Sequence, residues 1–290
     1  MRVGTRGSAL ALAQAELVAR RLGPEAEIVT ITTLGDRGAA VQDKSRWVSE
    51  LERALLDGRI DVAVHSAKDV PTELTDGLEL VAIPRRADPR DAICGASGLR
   101  QLASGARIGT SSVRRAAQIR AIRDDLAVVE LRGNVDTRLR KLAEGQVDAL
   151  VIALAGLQRL GREGDAGGVI DEFVPAAGQG ALALEARPGT LDPETLARVT
   201  DAASMACVRA ERELVQALGA SCNTPVGAYA RVVTDGGLEL VGWVGLPDGS
   251  AWLRDVVIGA PEAVGEACAQ RMLAAGAGEL LRQAETELAA

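Results

Sequence analysis

The strongest constraint on the fold is a pattern that occurs twice in the chain. "RVGTRGSALALAQA" (2–15) and "RIGTSSVRRAAQI" (107–119) each contain a short apolar strand, Gly-Thr, a Ser-containing turn and a helical run. "GRIDVAVHSA" (58–67) and "GQVDALVIAL" (145–154) repeat a second layout, in which a Gly ends a helix and an Asp opens a strand rich in β-branched residues. Because both pairs occur in the same order, the sequence predicts two related α/β lobes with parallel strand pairing.

Two further segments predict how the chain passes between these lobes. "PRRADPRDA" (84–92) has two prolines among charges and is typical of a linker, whereas "FVPAAGQGALALE" (173–185) is interpreted as a second crossing back to the first lobe. The predicted first lobe is therefore discontinuous, comprising 1–85 and 181–199, and the second lobe comprises 89–178. Proteins of this organisation bind ligands in the cleft, at strand ends and helix N-termini.

A third unit is predicted over 201–290, because the pattern changes at about Asp201. A helical run ends at Gly219 and is followed by three strand-like runs. The "LPDGS" turn (246–250) predicts a hairpin, and a single last helix is expected from about Ala260 to Ala289. This unit is expected to be a small α+β domain.

Composition limits the environment and the partners of the chain. No apolar run of about 18 residues predicts a membrane span, and the N-terminus lacks the pattern of a signal peptide, so we expect a cytoplasmic protein with no membrane partner. The four cysteines are not in CxxC spacing, and His65 is the only histidine. We therefore expect neither disulfides nor a metal site. The net charge of −7 argues against nucleic acid as a partner, and nothing in the sequence demands more than a monomer.

Basic residues at the predicted strand ends indicate a cationic cleft inside this acidic protein. Of the 33 basic residues 30 are Arg, which a GC-rich genome explains, so their positions matter more than their number. Both repeated turns place hydroxyls and backbone N–H groups at a helix N-terminus, where anions bind, although simple capping by Ser or Thr explains each turn alone. Guanidinium groups suit carboxylates and phosphates, so a small polyanion is the expected ligand. The residues concerned are Thr5, Arg6, Ser8, Thr110, Ser111, Ser112, Arg114, Arg115, Arg132 and Arg138.

"HSAKDVPT" (65–72) places Lys68 and Asp69 side by side after a predicted strand. Nearby positive charge favours an ionised Asp69, which would stabilise a cation or take up a proton. The alternative is a turn or capping role before Pro71. We expect His65 to be a packed, hydrogen-bonded histidine.

Cys222 lies in "GASCNTPVGAYA" (219–230), a Gly/Ser/Asn/Pro-rich turn. We expect Cys207 and Cys268 to lie within helices and Cys94 in a strand, as buried apolar side chains. Cys222 has no cysteine or histidine near it in the sequence, which leaves a nucleophile or a covalent attachment point. The residues alone leave both roles open.

Seven ordered motifs resemble those of the porphobilinogen deaminase (hydroxymethylbilane synthase) family: "GTRGSALALAQA", "HSAKDVPT", "GTSSVRRAAQ", "LRGNVDTRLRKL", "LAGLQRLG", "PAAGQGALALE" and "SCNTPVGAYA". The resemblance implies two lobes like those of periplasmic binding proteins, joined by a double crossover, and a small α+β domain. It also implies a dipyrromethane cofactor held by Cys222 through a thioether. Four porphobilinogen molecules would be added to this primer with loss of ammonia, and water would then release hydroxymethylbilane.

By the same resemblance, individual residues acquire expected roles. Asp69 would be catalytic, stabilising the azafulvenium cation left by the loss of ammonia. The cofactor would be held by Cys222, Lys68, Ser66, Thr110, Ser112, Arg114, Arg115 and Arg132. The substrate would be bound by Arg6, Ser8, Arg138, Arg159, Gln179, Lys44 and Trp47.

Two departures from the family pattern affect these expectations. "DKSRWVSELE" (43–52) replaces a loop of the form KGxF(V/T)KE, with Trp47 in place of Phe and Lys44 as a remaining basic contact. Ser221 stands where Gly is common, beside the expected attachment site. We expect neither change to abolish the reaction.

Other classes of protein share part of this pattern. A two-lobed anion-binding protein without catalysis needs neither Asp69 nor a third domain with a loop cysteine. A phosphoribosyltransferase needs an acidic pyrophosphate-binding loop, which the sequence lacks. The sequence therefore favours the enzyme.

Overall fold

The computed structural model describes residues 1–32, 45–220 and 224–289, with residues 45–47 described by their backbone alone. Within these residues the strands are β1 (Arg2–Thr5), β2 (Glu27–Thr30), β3 (Val62–Ser66), β4 (Glu79–Ala82), β5 (Asp91–Cys94), β6 (Arg107–Gly109), β7 (Ala127–Val129), β8 (Ala149–Ala153), β9 (Gly168–Ile170), β10 (Leu182–Ala186), β11 (Val226–Val232), β12 (Leu238–Gly245) and β13 (Trp252–Gly259). The helices are α1 (Ala9–Leu22), α2 (Ser45–Leu56), α3 (Val113–Ile122), α4 (Val135–Ala143), α5 (Leu154–Arg159), α6 (Pro193–Val199), α7 (Ala202–Ala217), α8 (Val264–Ala274) and α9 (Ala277–Ala289).

Two five-stranded sheets have equivalent strand orders, β2-β1-β3-β10-β4 and β7-β6-β8-β5-β9. In each, the first three strands are parallel, and the fourth strand comes from a different part of the chain and pairs antiparallel with the third. The chain thus enters β5 after its first crossing between the sheets and β10 after its second crossing. This arrangement confirms the predicted pair of α/β lobes with a double crossover.

The internal repeat extends to an ion pair that joins the second and third strands in the order of each sheet. Asp61 accepts hydrogen bonds from the backbone N–H of Arg2 (2.6 Å) and from its Nη2 (2.6 Å). Asp148 accepts the same two bonds from Arg107, each at 2.7 Å. The Asp that opens the repeated strand pattern therefore anchors the neighbouring strand in both lobes.

The two crossing segments lie against each other between the sheets. Ala87 N–H donates to Gly180 O at 3.1 Å. Gly180 has a φ of 87°, and a Cβ there would lie 2.6 Å from Ala87 O, so only glycine fits. The first crossing is shorter than the predicted linker, because β5 already begins at Asp91.

The third sheet, β11-β12-β13, is antiparallel throughout, which confirms the predicted hairpin between β12 and β13. Its apolar face packs on α7, α8 and α9 through a core that includes Leu214, Leu240 and Met272. The single last helix expected from the sequence is wrong: α8 and α9 are separate, and Gly276 between them has a φ of 101°, which a continuous helix cannot contain. None of the described helices has the length and apolarity to cross a membrane.

Helix α7 is attached to both crossing segments through the fully buried carboxylate of Glu211. The guanidinium of Arg86 donates to it from the first crossing, at 2.5 and 3.2 Å. Gly178 N–H donates from the second crossing at 2.7 Å, and Ala230 N–H donates from β11 at 2.7 Å. One carboxylate thereby connects three segments of the chain next to the site described below.

Candidate active site

The Lys68–Asp69 turn follows directly from β3, as a short 3₁₀ turn at Ala67–Asp69. The hydroxyl of Ser66, at the end of the strand, accepts a hydrogen bond from Gln14 Nε2 at 3.0 Å. Gly178 packs against the turn with a φ of 71°, and a Cβ there would lie 2.9 Å from Ala67 Cβ. The "GQG" stretch therefore contains a glycine because the second crossing touches the backbone of this turn.

Gln179, the next residue, joins the turn to the second sheet. Its Oε1 accepts from Lys68 Nζ at 3.4 Å and from Arg115 Nη2 at 3.3 Å. Its Nε2 donates to Pro89 O at 2.7 Å and to Asp91 Oδ1 at 2.9 Å. A fully buried amide thus bridges a lysine of the first lobe and an arginine of the second.

Arg114 and Arg115 converge on the buried carboxylate of Asp91. Arg114 Nη2 donates to Oδ2 at 2.8 Å, and Arg115 Nε donates to Oδ1 at 2.9 Å. The two arginines are only 4% and 5% exposed, and α3 carries both of them next to its N-terminus. Burial opposes ionisation of Asp91, but the charges of both arginines, with a smaller effect of Lys68, keep its pKa well below the usual range.

Arg138 brings positive charge to the same place from α4. Its Nη2 donates to Ser111 Oγ at 2.9 Å, and its Nε donates to Gly133 O at 2.7 Å. Loss of water contact and repulsion from Arg115 lower its pKa to about 10, while Asp69 acts in the opposite direction. Arg138 is therefore close enough to both Asp69 and Arg115, from two other segments, to interact with each of them electrostatically.

Two of the hydroxyl groups predicted to bind anions, those of Ser8 and Ser112, serve as helix caps. Ser8 Oγ accepts from Ala11 N–H at the start of α1, and Ser112 Oγ accepts from Arg115 N–H at the start of α3. The buried Thr110 Oγ1 accepts from Ser112 N–H at 3.1 Å. These are the capping roles that the sequence left as the alternative, and the N-termini of both helices still present their first N–H groups.

The remaining predicted arginines have different environments. Arg132 is exposed, and its Nε donates to Glu130 Oε1 at 2.6 Å. Arg159 is half-buried at the end of α5 and donates to Gly180 O at 2.6 Å, and burial lowers its pKa to about 10. Arg6 is half-buried in the turn between β1 and α1. Lys44, Cys222 and the side chain of Trp47 lie outside the described residues.

His65 and the three described cysteines have the positions that the sequence predicted. His65 is buried, with its Nε2 2.9 Å from Glu185 Oε2. Cys94 lies in β5, Cys207 in α7 and Cys268 in α8, all buried. Among the described residues no cluster of His, Cys, Asp and Glu could hold a metal ion.

Sequence reasoning missed Asp91, which binds Arg114 and Arg115, Glu211, which binds both crossing segments, and Arg212, which donates to the carbonyls after Asp69. Asp91 lies in the segment interpreted as a linker, and the other two belong to a charged helical run that is typical of a solvated face. One sequence signal could have found Asp91. It stands directly before a run of apolar residues, as Asp61 and Asp148 do in the repeated pattern.

The fold and the site define a two-lobed α/β protein whose cationic centre, with one acidic turn, lies where two crossing segments meet. Comparison with known proteins then identifies the family. The model described as "Porphobilinogen deaminase, dipyromethane cofactor binding domain" matches residues 1–195, and "Porphobilinogen deaminase, C-terminal domain" matches residues 205–274.

Individual relatives match over nearly their full length. The porphobilinogen deaminase of Thermus thermophilus is 48% identical over 97% of this chain and 98% of its own, and that of Deinococcus radiodurans is 48% identical over 96% and 97%. A putative methionine-binding lipoprotein from Bacillus subtilis, among solved structures, has a TM-score of 0.41 at 14% identity, covering 68% of this chain and 87% of its own.

The chain belongs to the porphobilinogen deaminase family. It is an enzyme, a transferase of tetrapyrrole biosynthesis with hydroxymethylbilane synthase activity, and its matched domain is one that binds a dipyrromethane cofactor.

Proposed function

We propose that this enzyme adds four porphobilinogen units, one at a time, to a dipyrromethane primer attached to Cys222 by a thioether, and then releases hydroxymethylbilane by hydrolysis. The observation that carries the proposal is that Lys68, within the turn that holds Asp69, and Arg115 both donate to Gln179 Oε1, while Arg138 interacts electrostatically with Asp69 and with Arg115. A chain of pyrroles bearing acetate and propionate groups is a polyanion, and this cationic centre is its chemical complement.

The donor set fits such a cofactor. Its carboxylates would be held by Lys68, by the N-terminus of α3 with Ser112 and Thr110, by Ser66 and by Arg132. Arg114 and Arg115 are held by the buried carboxylate of Asp91. From beneath the surface of the site they add positive electrostatic potential. When bound, the cofactor supplies the nucleophilic pyrrole carbon on which the chain grows.

The incoming substrate would be bound by the second set of side chains. Arg138 on α4 interacts electrostatically with Asp69, Arg159 at the end of α5 donates to the carbonyl of Gly180 beside Gln179, and Arg6 with Ser8 borders the start of α1. The proposal also assigns Lys44 and Trp47 to the substrate.

Asp69 is the proposed catalytic residue. Loss of ammonia from the aminomethyl group leaves a cation, and a carboxylate beside it stabilises that charge and takes the proton released when the pyrroles join. Asp69 follows Lys68 directly in the chain and interacts electrostatically with Arg138.

The wider proposals concern organisation and location. We assign 1–85 with 181–199 and 89–178 to the two lobes, and 201–290 to a domain that carries the cofactor. We also propose that the enzyme is a cytoplasmic monomer that binds no nucleic acid.

Intact-protein mass spectrometry tests the attachment. After incubation with porphobilinogen, the purified protein is expected to exceed its sequence mass by one dipyrromethane, and Cys222→Ser is expected to lose this excess. Cys94→Ser, at a buried strand position, is the matched control and is expected to keep it. A bare polypeptide mass for the incubated wild-type protein would exclude the covalent cofactor.

A further inference from the structure

We infer that Arg212, on α7, is a positioning residue that holds the Asp69 turn in its reactive orientation. Its guanidinium donates to three consecutive carbonyl oxygens that directly follow Asp69: Nη1 to Val70 O at 3.0 Å, and Nη2 to Pro71 O at 2.6 Å and Thr72 O at 3.2 Å. The inference rests on the proposed catalytic role of Asp69.

In the segment that Arg212 binds, Val70 N–H donates to Ala67 O at 3.3 Å, whereas the carbonyls of 70–72 accept from Arg212. Pro71 has no N–H to donate, and β3 has already ended at Ser66, so no sheet hydrogen bonds continue through 70–72. Backbone carbonyls next to a buried turn need donors. A planar guanidinium with several fixed donors satisfies three carbonyls at once, which the ammonium of a lysine does less well. Arg212 thereby fixes the path of the chain immediately after Asp69.

A buried carboxylate provides the counter-charge for this arginine. Burial lowers the pKa of Arg212, and the charge of Glu185 acts in the opposite direction. Glu185 is fully buried on β10, where it is hydrogen-bonded to His65, and its Oε1 has no hydrogen-bond partner among the described residues. Since β10 pairs antiparallel with β3, Glu185 lies beside the strand that leads into the turn.

The position of Arg212 on α7 connects the turn to the third unit of the chain. Its neighbour Glu211 fixes the same helix to both crossing segments, as described above. Helix α7 ends at Ala217, shortly before the segment that contains Cys222. Helix α7 therefore joins the residues that follow Asp69 to both crossing segments.

A double-mutant cycle tests whether Arg212 acts through Asp69. Arg212→Gln is made in the wild-type and in the Asp69→Asn protein, each incubated with porphobilinogen, and porphobilinogen consumption is measured in steady state and in single-turnover experiments. In the wild-type background we expect kcat to fall by about 10- to 100-fold, with KM changed by less than about 3-fold, because misplacement of a reacting group lowers the rate rather than the binding. In the Asp69→Asn background we expect the same substitution to change the rate by less than about 2-fold.

Two further variants make the outcomes decisive. Arg209→Gln changes an exposed arginine on the same helix and is expected to leave kcat within about 2-fold of wild type. Arg212→Lys keeps the charge and is expected to recover part of the lost rate, and it replaces Arg212→Gln in the cycle if that variant does not fold.

An equal loss in both backgrounds, or an unchanged kcat in Arg212→Gln, would overturn the inference and leave Arg212 with a purely structural role. A near-normal rate for Asp69→Asn alone would remove Asp69 from the mechanism, and the positioning role with it. The single variant reports this second failure without reference to Arg212, so the two failures are distinguishable.

Discussion

Gln179 Nε2 donates to Asp91 Oδ1 at 2.9 Å, which joins the second crossing segment to the end of the first. The Oε1 atom of the same amide accepts hydrogen bonds from Lys68 of one lobe and from Arg115 of the other. The cationic centre is therefore built on the connection between the lobes, and a change in the angle between them would change the spacing of its charges.

Replacing Asp91 by Asn is expected to destabilise the fold strongly. The substitution leaves two buried guanidinium groups without their carboxylate. Breaking a buried ion pair in this way costs about 3–5 kcal/mol, which urea unfolding measures. Asp171→Asn, which removes an exposed partner of Arg90, is the matched control and is expected to cost less than about 1 kcal/mol. An equal loss of unfolding free energy in the two variants would show that Asp91 does not hold Arg114 and Arg115 in place.

The stabilisation by Asp91 is also expected to depend on pH in a defined direction. Its folded-state pKa lies below the unfolded value of about 3.9, so the unfolded chain binds the proton first as the pH falls. The contribution is full above about pH 5 and is lost progressively below about pH 4. The difference in unfolding free energy between wild type and Asp91→Asn should therefore be constant from about pH 5 to 8 and shrink under acid conditions.

Asp69→Asn is expected to keep the fold and to lower turnover by about 10²- to 10⁴-fold, the usual contribution of a proton-transferring group. The substitution preserves the size of the side chain but removes the charge that stabilises the cation. Asp76→Asn, at an exposed position in the following turn, controls for a general effect on this segment. The comparison is made by steady-state kinetics together with thermal unfolding, and turnover near wild type in both variants would contradict the assignment.

Arg138→Gln is expected to lower kcat/KM by about 10- to 100-fold, the loss of one or two charge-assisted hydrogen bonds to a carboxylate. Arg140→Gln on the same helix is the control, because Arg140 is exposed and pairs only loosely with Glu144, at 3.7 Å. High salt should reduce the difference in kcat/KM between the two variants, because salt screens the charge of Arg138. Equal effects would place Arg138 among the surface charges of α4.

The sequence predicted the lobes because their information is local and repeated. The Gly-Thr-Ser turns, the Asp before each third strand and the glycines that end helices each specify a conformation within a few residues. The predicted convergence on Asp69 also depended on strand ends, which meet at one edge of a parallel sheet. The division of the last helical stretch was missed because the spacing of apolar and polar residues suits one continuous helix. The break at Ala275 and Gly276 is short and does not disturb that spacing visibly.

The supporting contacts of the site could not be predicted from the sequence. Asp91 and Arg114 are 23 residues apart, and Arg212 is 142 residues from Val70, so no local pattern relates them. Their partners become visible only when the crossing segments and α7 are placed together. The arginines that the sequence assigned to ligand binding include two, Arg114 and Arg115, whose guanidinium groups bind Asp91 inside the protein.

Gly178→Ala is expected to impair both stability and turnover, whereas Gly189→Ala impairs stability alone. Both glycines have a φ near 70–75°, so an alanine at either position costs about 1–2 kcal/mol of backbone strain. Nothing lies within 4 Å of a Cβ at Gly189, but a Cβ at Gly178 would lie 2.9 Å from Ala67 Cβ and 3.0 Å from Lys68 N.

The clash at Gly178 must therefore push the second crossing away from the Lys68–Asp69 turn. We expect an additional cost of about 1–3 kcal/mol and a turnover at least about 10-fold lower than in Gly189→Ala, because small displacements of a reacting group are expensive in rate. Urea unfolding and steady-state kinetics of the two variants separate these effects. A turnover in Gly178→Ala equal to that in Gly189→Ala would mean that the contact between the crossing segment and the turn does not control the position of Asp69.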